Sequence, residues 1–199
     1  MRIPEHIGVI PDGNRRWATL KGLTKDRGYD LGLDPGLALY KLCKKIGIKE
    51  ITYYGFTTDN TKRPSLQRKA FTKACIDAVK MLSKEDAALL VVGNSESPMF
   101  PEELKPYTTR QTFGDGSIKV NFLVNYGWSW DLNSLKAEDR TNKNINSYIN
   151  SSDVSRVDLI IRWGGMRRLS GFLPVQSVYA DFYVVDDLWP DFKEEHFHD

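Results

Sequence analysis

At 199 residues, 41% hydrophobic and 27% charged, the chain has the size and composition of one globular α/β domain spanning 1–199, and not those of a disordered chain. Lys and Arg total 28 against 26 Asp and Glu, and this net charge of +2 excludes the broad basic field of a protein that wraps nucleic acid. Any anion site must therefore be a local cluster. Cys43 and Cys75 lie far apart without metal-ligand spacing and read as reduced thiols of a cytoplasmic protein. No stretch approaches the ~20 apolar residues that span a bilayer, and the N-terminus lacks a small-residue cleavage site. A soluble protein is expected, with peripheral contact to a membrane surface still open to it.

The first apolar run, "HIGVI" (6–10), predicts a strand that breaks at a proline into "PDGNRRW". "GLALYKLCKKIG" (36–47) puts Leu39, Leu42, Cys43 and Ile46 on one helical stripe and ends at Gly47. "EITYYGF" (50–56) predicts the second strand. "PSLQRKAFTKACIDAVKML" (64–82) predicts a helix opened by proline, with Ala70, Ala74, Ala78 and Phe71, Cys75, Val79 recurring along it. "ALLVVG" (88–93) follows as a strand, then a proline-interrupted helix over 101–111 and a strand in "IKVNFLVNY" (118–126). The polar, Asn- and Ser-rich 138–153 predicts a mobile connection. "VDLIIRW" (157–163) and "DFYVVDD" (181–187) complete about six strands. Several are apolar throughout, as strands covered on both faces of a parallel sheet must be, so the expected fold is a central parallel β-sheet surrounded by helices.

Charged clusters fall where predicted strands end: "PDGNRRW", "TTDNTKRP" (57–64), "NYGWSWD" (125–131) and "RWGGMRRLSG" (162–171). In an open parallel sheet, ligands bind in the crevice beyond the carboxyl ends of the strands. Asp12, Asp59 and Asp181 offer hard oxygen ligands for Mg²⁺. Arg15, Arg16, Arg63, Arg162, Arg167 and Arg168 offer planar forks that match phosphate oxygens. Gly13, Gly164 and Gly165 allow backbone amides close to an anion, and Asp12–Gly13 stands where a helix would begin. No Walker or dinucleotide-binding glycine motif occurs. Taken singly, "PDG" is an ordinary turn, Trp17 and Trp128 read as packing, and His6, His196 and His198 as solvated residues. The four clusters together point to a phosphate and a divalent cation.

Three blocks then resemble the cis-prenyltransferases, the family of undecaprenyl diphosphate synthase. "HIGVIPDGNRRWA" is similar to an apolar strand followed by M-D-G-N-G-R-W-A, and "YYGFTTDNTKRP" to Y-A-F-S-x-E-N-x-x-R-P. "VDLIIRWGGMRRLSGFLPVQSVYADFYVVDDLWPDF" resembles the long C-terminal signature, in the same order and spacing. The resemblance implies a homodimer that condenses an allylic prenyl diphosphate with a second prenyl diphosphate, using Mg²⁺. It places Asp12 on the catalytic, metal-holding aspartate and Asp181 on a second metal ligand, where the family has glutamate. Gly13, Asn14, Arg15 and Arg16 fall on the diphosphate cradle, followed by Trp17, with Arg63 joining it. Asn60 falls on a residue linked to proton removal, within a binding segment that includes Thr57, Thr58, Asp59 and Thr61. Arg162, Arg168, Leu169 and Ser170 fall where the second diphosphate is held.

The chain departs from the pattern inside the site. Arg15 replaces a glycine, and "KDRGYDLG" carries Lys25 and Tyr29 in place of Arg and His. Thr61 replaces tryptophan, Met166 replaces a glutamate, and the chain stops soon after "WPDF", before an R-x-G segment. Lys25 still offers a point charge to phosphate, whereas Tyr29 has no proton to exchange near neutral pH. These changes resemble the lavandulyl- and cyclolavandulyl-type branch, which joins two allylic units non-head-to-tail. They imply dimethylallyl diphosphate as acceptor in place of isopentenyl diphosphate. Ordinary head-to-tail addition and a non-catalytic partner subunit are the alternatives.

Overall fold

The computed structural model describes residues 3–136 and 145–197. Its strands are β1 (His6–Ile10), β2 (Glu50–Tyr54), β3 (Ala87–Val92), β4 (Gln111–Thr112), β5 (Ile118–Leu123), β6 (Leu159–Trp163) and β7 (Asp181–Val185). They form one sheet in the order β4-β3-β5-β2-β1-β6-β7, parallel except for β4. Six of these strands answer the six apolar runs, each ending within a few residues of the run. β4 is a two-residue exposed edge whose pattern is too short to read from sequence.

The helices are α1 (Asn14–Leu20), α2 (Arg27–Asp30), α3 (Leu33–Ile46), α4 (Ser65–Leu82) and α5 (Trp128–Leu132). Gly47 ends α3 in the left-handed region at φ 89°, and Pro64 stands immediately before α4. Both are the predicted signals at work. The segment Glu102–Thr108 winds only as a 3-10 helix, because Pro106 inside it has no amide to donate.

Side chains alternate across the pleat and build two cores. Ile7, Val9, Ile51, Tyr53, Leu89 and Val91 face the long helices, meeting Leu39 and Cys43 of α3 and Cys75 and Val79 of α4. Ile10, Tyr54, Leu90, Val92 and Ile160 face the other way, onto Val154, Val157, Phe172 and Leu173 in irregular segments. Gly8 faces this second side, where a Cβ would lie 2.5 Å from the Phe172 ring. Cys43 and Cys75 are both buried free thiols, and burial pushes the Cys75 thiol up to about 12.

Of the predicted mobile connection, 138–144 lies outside the described residues. The remainder is folded against the second face: Ile145–Tyr148 is a 3-10 turn, and Ile149 and Ser151 are buried. Asp131 explains this order. Its carboxylate accepts from Tyr126 Oη (2.7 Å), Ser151 Oγ (2.7 Å) and Ser151 N (2.8 Å), so a buried anion pins the returning chain.

His6 is not solvated, contrary to the sequence reading; it is 2% exposed near the amino ends of the strands. Its Nδ1 lies 3.1 Å and 3.2 Å from the Ser155 and Arg156 carbonyls, which only accept, so Nδ1 carries the proton. Nε2 then accepts from Thr52 Oγ1 at 2.8 Å. Asn121 donates to Thr52 Oγ1 and to Glu50 Oε1, and Arg110 donates to Asn121 Oδ1. Burial lowers the His6 pKa, overcoming the pull of Glu50. Burial raises that of Glu50, but His6, Ser155 and Asn121 together outweigh it and hold the carboxyl below its ordinary range.

Both groups bind protons more readily in the unfolded chain, so acid destabilises the fold. The His6 contribution is complete above its ordinary value of 6.5 and is lost as pH falls below that toward its lowered folded value. The Glu50 contribution is lost below 4.5. Urea unfolding measured across pH is expected to show stability declining below about pH 6.5, and His6→Gln to flatten that first decline. Gly28→Ala is expected to cost about 1–3 kcal/mol in the same assay. A Cβ at Gly28 would stand 2.1 Å from the Asn14 carbonyl oxygen, forcing α2 off α1.

Candidate active site

The register of the central strands assembles the site. β1 and β6 run parallel with Ile10 opposite Arg162, so Asp12, just past the end of β1, reaches across to the carboxyl end of β6. Arg162 Nη2 meets Asp12 Oδ2 at 2.7 Å. Arg16 approaches Asp12 Oδ1 from one turn along α1, at 3.8 Å, and donates to the Gly164 carbonyl at 2.8 Å. The Arg162 side chain is 5% exposed and that of Asp12 34%, so the carboxylate is the open end of the pair.

Local backbone chemistry fixes the turn. Gly13 caps α1 at φ 107°, where a side chain is strained and would also strike Leu188. Asn14 donates to the Pro11 carbonyl and so ties the start of the helix to the end of the strand. On the opposite wall Arg162 Nη1 donates to the Arg168 carbonyl and to Ser170 Oγ. Ser170 sits at φ 51°, an uncommon conformation for a residue with a Cβ, and Tyr54 Oη holds its carbonyl at 2.7 Å.

These residues line a cleft of about 880 Å³. It gathers Asp12, Gly13, Asn14, Arg15 and Arg16 from the first cluster and Thr57, Asp59, Asn60 and Arg63 from the second. Arg162, Arg168 and Ser170 come from the last cluster, with Lys25 and Tyr29 from the segment between α1 and α3. Six cationic side chains face two carboxylates there, an excess of four in a chain whose net charge is +2. Asn14 Oδ1, Arg15 Nε and Arg162 Nε are buried without hydrogen-bond partners among the described residues, unused polar capacity beside a cleft whose charged groups are mainly cations.

Some expected residues lie elsewhere. Trp17 turns away from the cleft and donates from Nε1 to Asp191 at 2.8 Å. Thr58 and Thr61 bond one another within the turn Thr58–Lys62, and neither they nor Leu169 line the cleft. Gly164 and Gly165 have positive φ, but their amides donate to the Asp187 and Val185 carbonyls and are not free for an anion. The "NYGWSWD" segment supports the site without lining it: a Cβ on Gly171 would fall 2.9 Å from the Trp128 ring. Asp181 opens β7 opposite Leu159, at the amino end of the sheet, so within one chain it does not reach Asp12. Asn60 Oδ1 accepts from the Thr57 amide at 3.0 Å, which leaves its NH₂ as the group offered to a ligand.

Thr19 and Leu20 line the cleft mouth and Tyr54 its floor, three positions the sequence reading did not select. Helical spacing from Arg15 and Arg16 carries the signal for the first two. Tyr29 Oη accepts from Arg63 Nη1 at 2.9 Å, and burial raises the phenol pKa against the pull of Arg63 and Arg15. Beside the cleft lies an apolar cavity of about 90 Å³, walled in part by Ala74, Cys75 and Ala78 of α4 and by Phe122 and Trp189.

The family model described as "Putative undecaprenyl diphosphate synthase" matches residues 10–199. A ditrans,polycis-undecaprenyl-diphosphate synthase ((2E,6E)-farnesyl-diphosphate specific) of Photorhabdus laumondii is 34% identical over 98% of this chain and 84% of its own. That of Yersinia pseudotuberculosis is 33% identical, over 98% and 85%. Among solved structures, lavandulyl diphosphate synthase from Lavandula x intermedia, crystallised with dimethylallyl diphosphate, superposes with a TM-score of 0.82. It is 22% identical, over 98% of this chain and 92% of that one, and shares the fold. The strand-end cleft and the extent of these matches together place the chain in the undecaprenyl diphosphate synthase family of cis-prenyltransferases.

Proposed function

We propose that the chain joins two five-carbon allylic diphosphates in a Mg²⁺-dependent, non-head-to-tail condensation. Condensation of prenyl diphosphates is the chemistry of the family. The observation that carries the finer reading is the wall around Arg162: it presents Arg162, Arg168 and Ser170 to the cleft without a carboxylate of its own, and exposed Met166, two positions before Arg168, stands where the family pattern has a glutamate. The second reading, head-to-tail addition of isopentenyl diphosphate, draws support from the names of the relatives.

The donor set suits Mg²⁺ brought by a diphosphate. No group of three or more His, Cys, Asp or Glu side chains able to hold a metal occurs among the described residues. Mg²⁺ needs only one or two carboxylates when phosphate oxygens and water complete its shell, and Asp12 would supply the first. Bound there, the ion would neutralise charge developing on the departing diphosphate.

The chain's own residues account for the remainder. Arg15, Arg16 and Arg63 bind the donor diphosphate, and Arg162, Arg168 and Ser170 the acceptor. The donor C1–O bond breaks with its electron pair leaving on the diphosphate, and guanidinium groups already in place stabilise that charge. The acceptor double bond supplies the electrons of the new C–C bond, and one proton passes from the resulting cation to an oxygen of the departed diphosphate, restoring an alkene. Asn60 presents a donor to the cleft, so it orients a diphosphate oxygen and does not take that proton. The apolar cavity excludes water from the allylic cation.

A homodimer, proposed on the same footing, finds support in β7. Among the described residues this strand pairs with β6 alone, and Tyr179 (75% exposed), Val178, Phe182 and Tyr183 leave an apolar edge. Asp181 lies in that edge, so a metal role for it requires two chains.

With Mg²⁺ and dimethylallyl diphosphate as sole substrate, mass spectrometry is expected to find ten-carbon products, abolished by chelation. Efficient isopentenyl addition without dimethylallyl coupling would install the head-to-tail reading, and no product from any pair the partner-subunit reading. Asp12→Asn is expected to lower turnover by at least about a hundredfold with little change in melting temperature. Light scattering is expected to give a dimer mass that Tyr179→Asp together with Phe182→Asp converts to monomer.

A further inference from the structure

The polar cleft and the apolar cavity are neighbouring spaces, and Pro11, Asn14, Tyr29, Tyr54, Gly55 and Phe71 line both. These residues are the neck between headgroup and tail. Two of its side chains are rings in contact. Tyr29 and Phe71 stack with centroids 4.6 Å apart and planes 6° from parallel. Arg63 lies over Phe71, 5.4 Å from the ring centroid, and donates to Tyr29 Oη at 2.9 Å. One guanidinium at the diphosphate cradle therefore fixes both rings. Phe56 meets Phe71 edge-on at 5.6 Å and blocks its retreat, and Gly28 lets the backbone before Tyr29 press onto Asn14.

We propose that Tyr29, locked against Phe71 by Arg63, is the donor-length determinant, admitting a five-carbon tail and refusing ten- and fifteen-carbon tails. This rests on the reading of the cleft as a prenyl diphosphate site. An apolar cavity of about 150 Å³ holds one benzene ring, so the cavity beyond the neck has room for on the order of one isoprene unit. Its volume is about 90 Å³, and Leu82, Phe122 and Trp189 line it together with the small α4 residues. The carbons of a longer donor have two destinations. Either they lie in the polar cleft among arginines, or they push out the Tyr29 ring and break both the stack and the Arg63 hydrogen bond. Because Arg63 serves the diphosphate as well, a tail that displaces Tyr29 also disturbs headgroup binding.

The test is calorimetric titration, with Mg²⁺, of unreactive thiolodiphosphate analogues of dimethylallyl, geranyl and farnesyl diphosphate, with inorganic diphosphate as headgroup control. The native chain is expected to bind the dimethylallyl analogue at least tenfold tighter than the geranyl one. Tyr29→Ala is expected to shift that ratio at least tenfold toward geranyl, and Phe71→Leu to shift it the same way. Tyr29→Phe keeps the ring, so it is expected to keep the order while weakening all ligands, inorganic diphosphate included, a few-fold. Circular dichroism melting identifies any variant that does not fold, and the other then decides. Native binding of geranyl or farnesyl analogues as tight as dimethylallyl overturns the proposal. So does an unchanged ratio in the folded variants; either result leaves the prenyl diphosphate reading standing. Failure of inorganic diphosphate and every analogue to bind removes that reading and the length role with it.

Discussion

The contact between Asp12 and Arg162 governs this molecule. It joins the carboxyl ends of the two neighbouring central strands β1 and β6, and it does so with a guanidinium almost wholly removed from water. A buried arginine needs a counter-charge, and losing it costs about 3–5 kcal/mol. The pairing therefore serves the fold before it serves any ligand. It also sets the chemistry, since a carboxylate shared with arginines on both sides stays at the centre of an otherwise positive cleft. On the proposed function, a metal–diphosphate would meet Asp12 already positioned, and a second anion would meet Arg162 already oriented by Ser170 and the Arg168 carbonyl.

Around that pair the backbone does work that side chains cannot. Gly13 turns the chain from strand to helix, Gly164 admits the Arg16 fork, and Gly28 lets two helices touch. Each position brings a different segment to within hydrogen-bond reach of the same cleft. The rings of Tyr29 and Phe71 then separate a charged space from an apolar one, which is the division a prenyl diphosphate itself carries.

Much of this was legible in the sequence because it rests on local rules. Continuous apolar runs gave the parallel strands, Gly47 and Pro64 marked helix boundaries, and strand-end charge located the cleft. What stayed hidden depends on partners distant in sequence. Whether the Gly164 amide is free depends on Asp187, and the direction of Trp17 on Asp191. His6 reads as solvated beside a charged N-terminus, but 149 residues separate it from the Ser155 carbonyl that satisfies it. Asp181 was placed by its neighbours in a motif, and motif order does not say at which end of a strand a residue emerges. The near-polar stretch after α5 read as mobile because the anion that orders it, Asp131, lies outside the stretch.

The segment Trp189–Asp191 has a consequence for how the site comes into being. The Trp189 amide donates to the Asp12 carbonyl at 3.0 Å, its indole to Gly32 at 2.9 Å, and Asp191 receives the Trp17 indole. The turn after the first strand is thus clasped by residues far along the chain, 174 positions apart in the case of Trp17 and Asp191. During synthesis the earlier strands can collapse first, yet the turn at Asp12 lacks its fastener until residue 191 clears the ribosome. A chain that ends before residue 191 would carry the charges of this turn without the contacts that fix it, so the turn is complete only once Trp189 and Asp191 have docked.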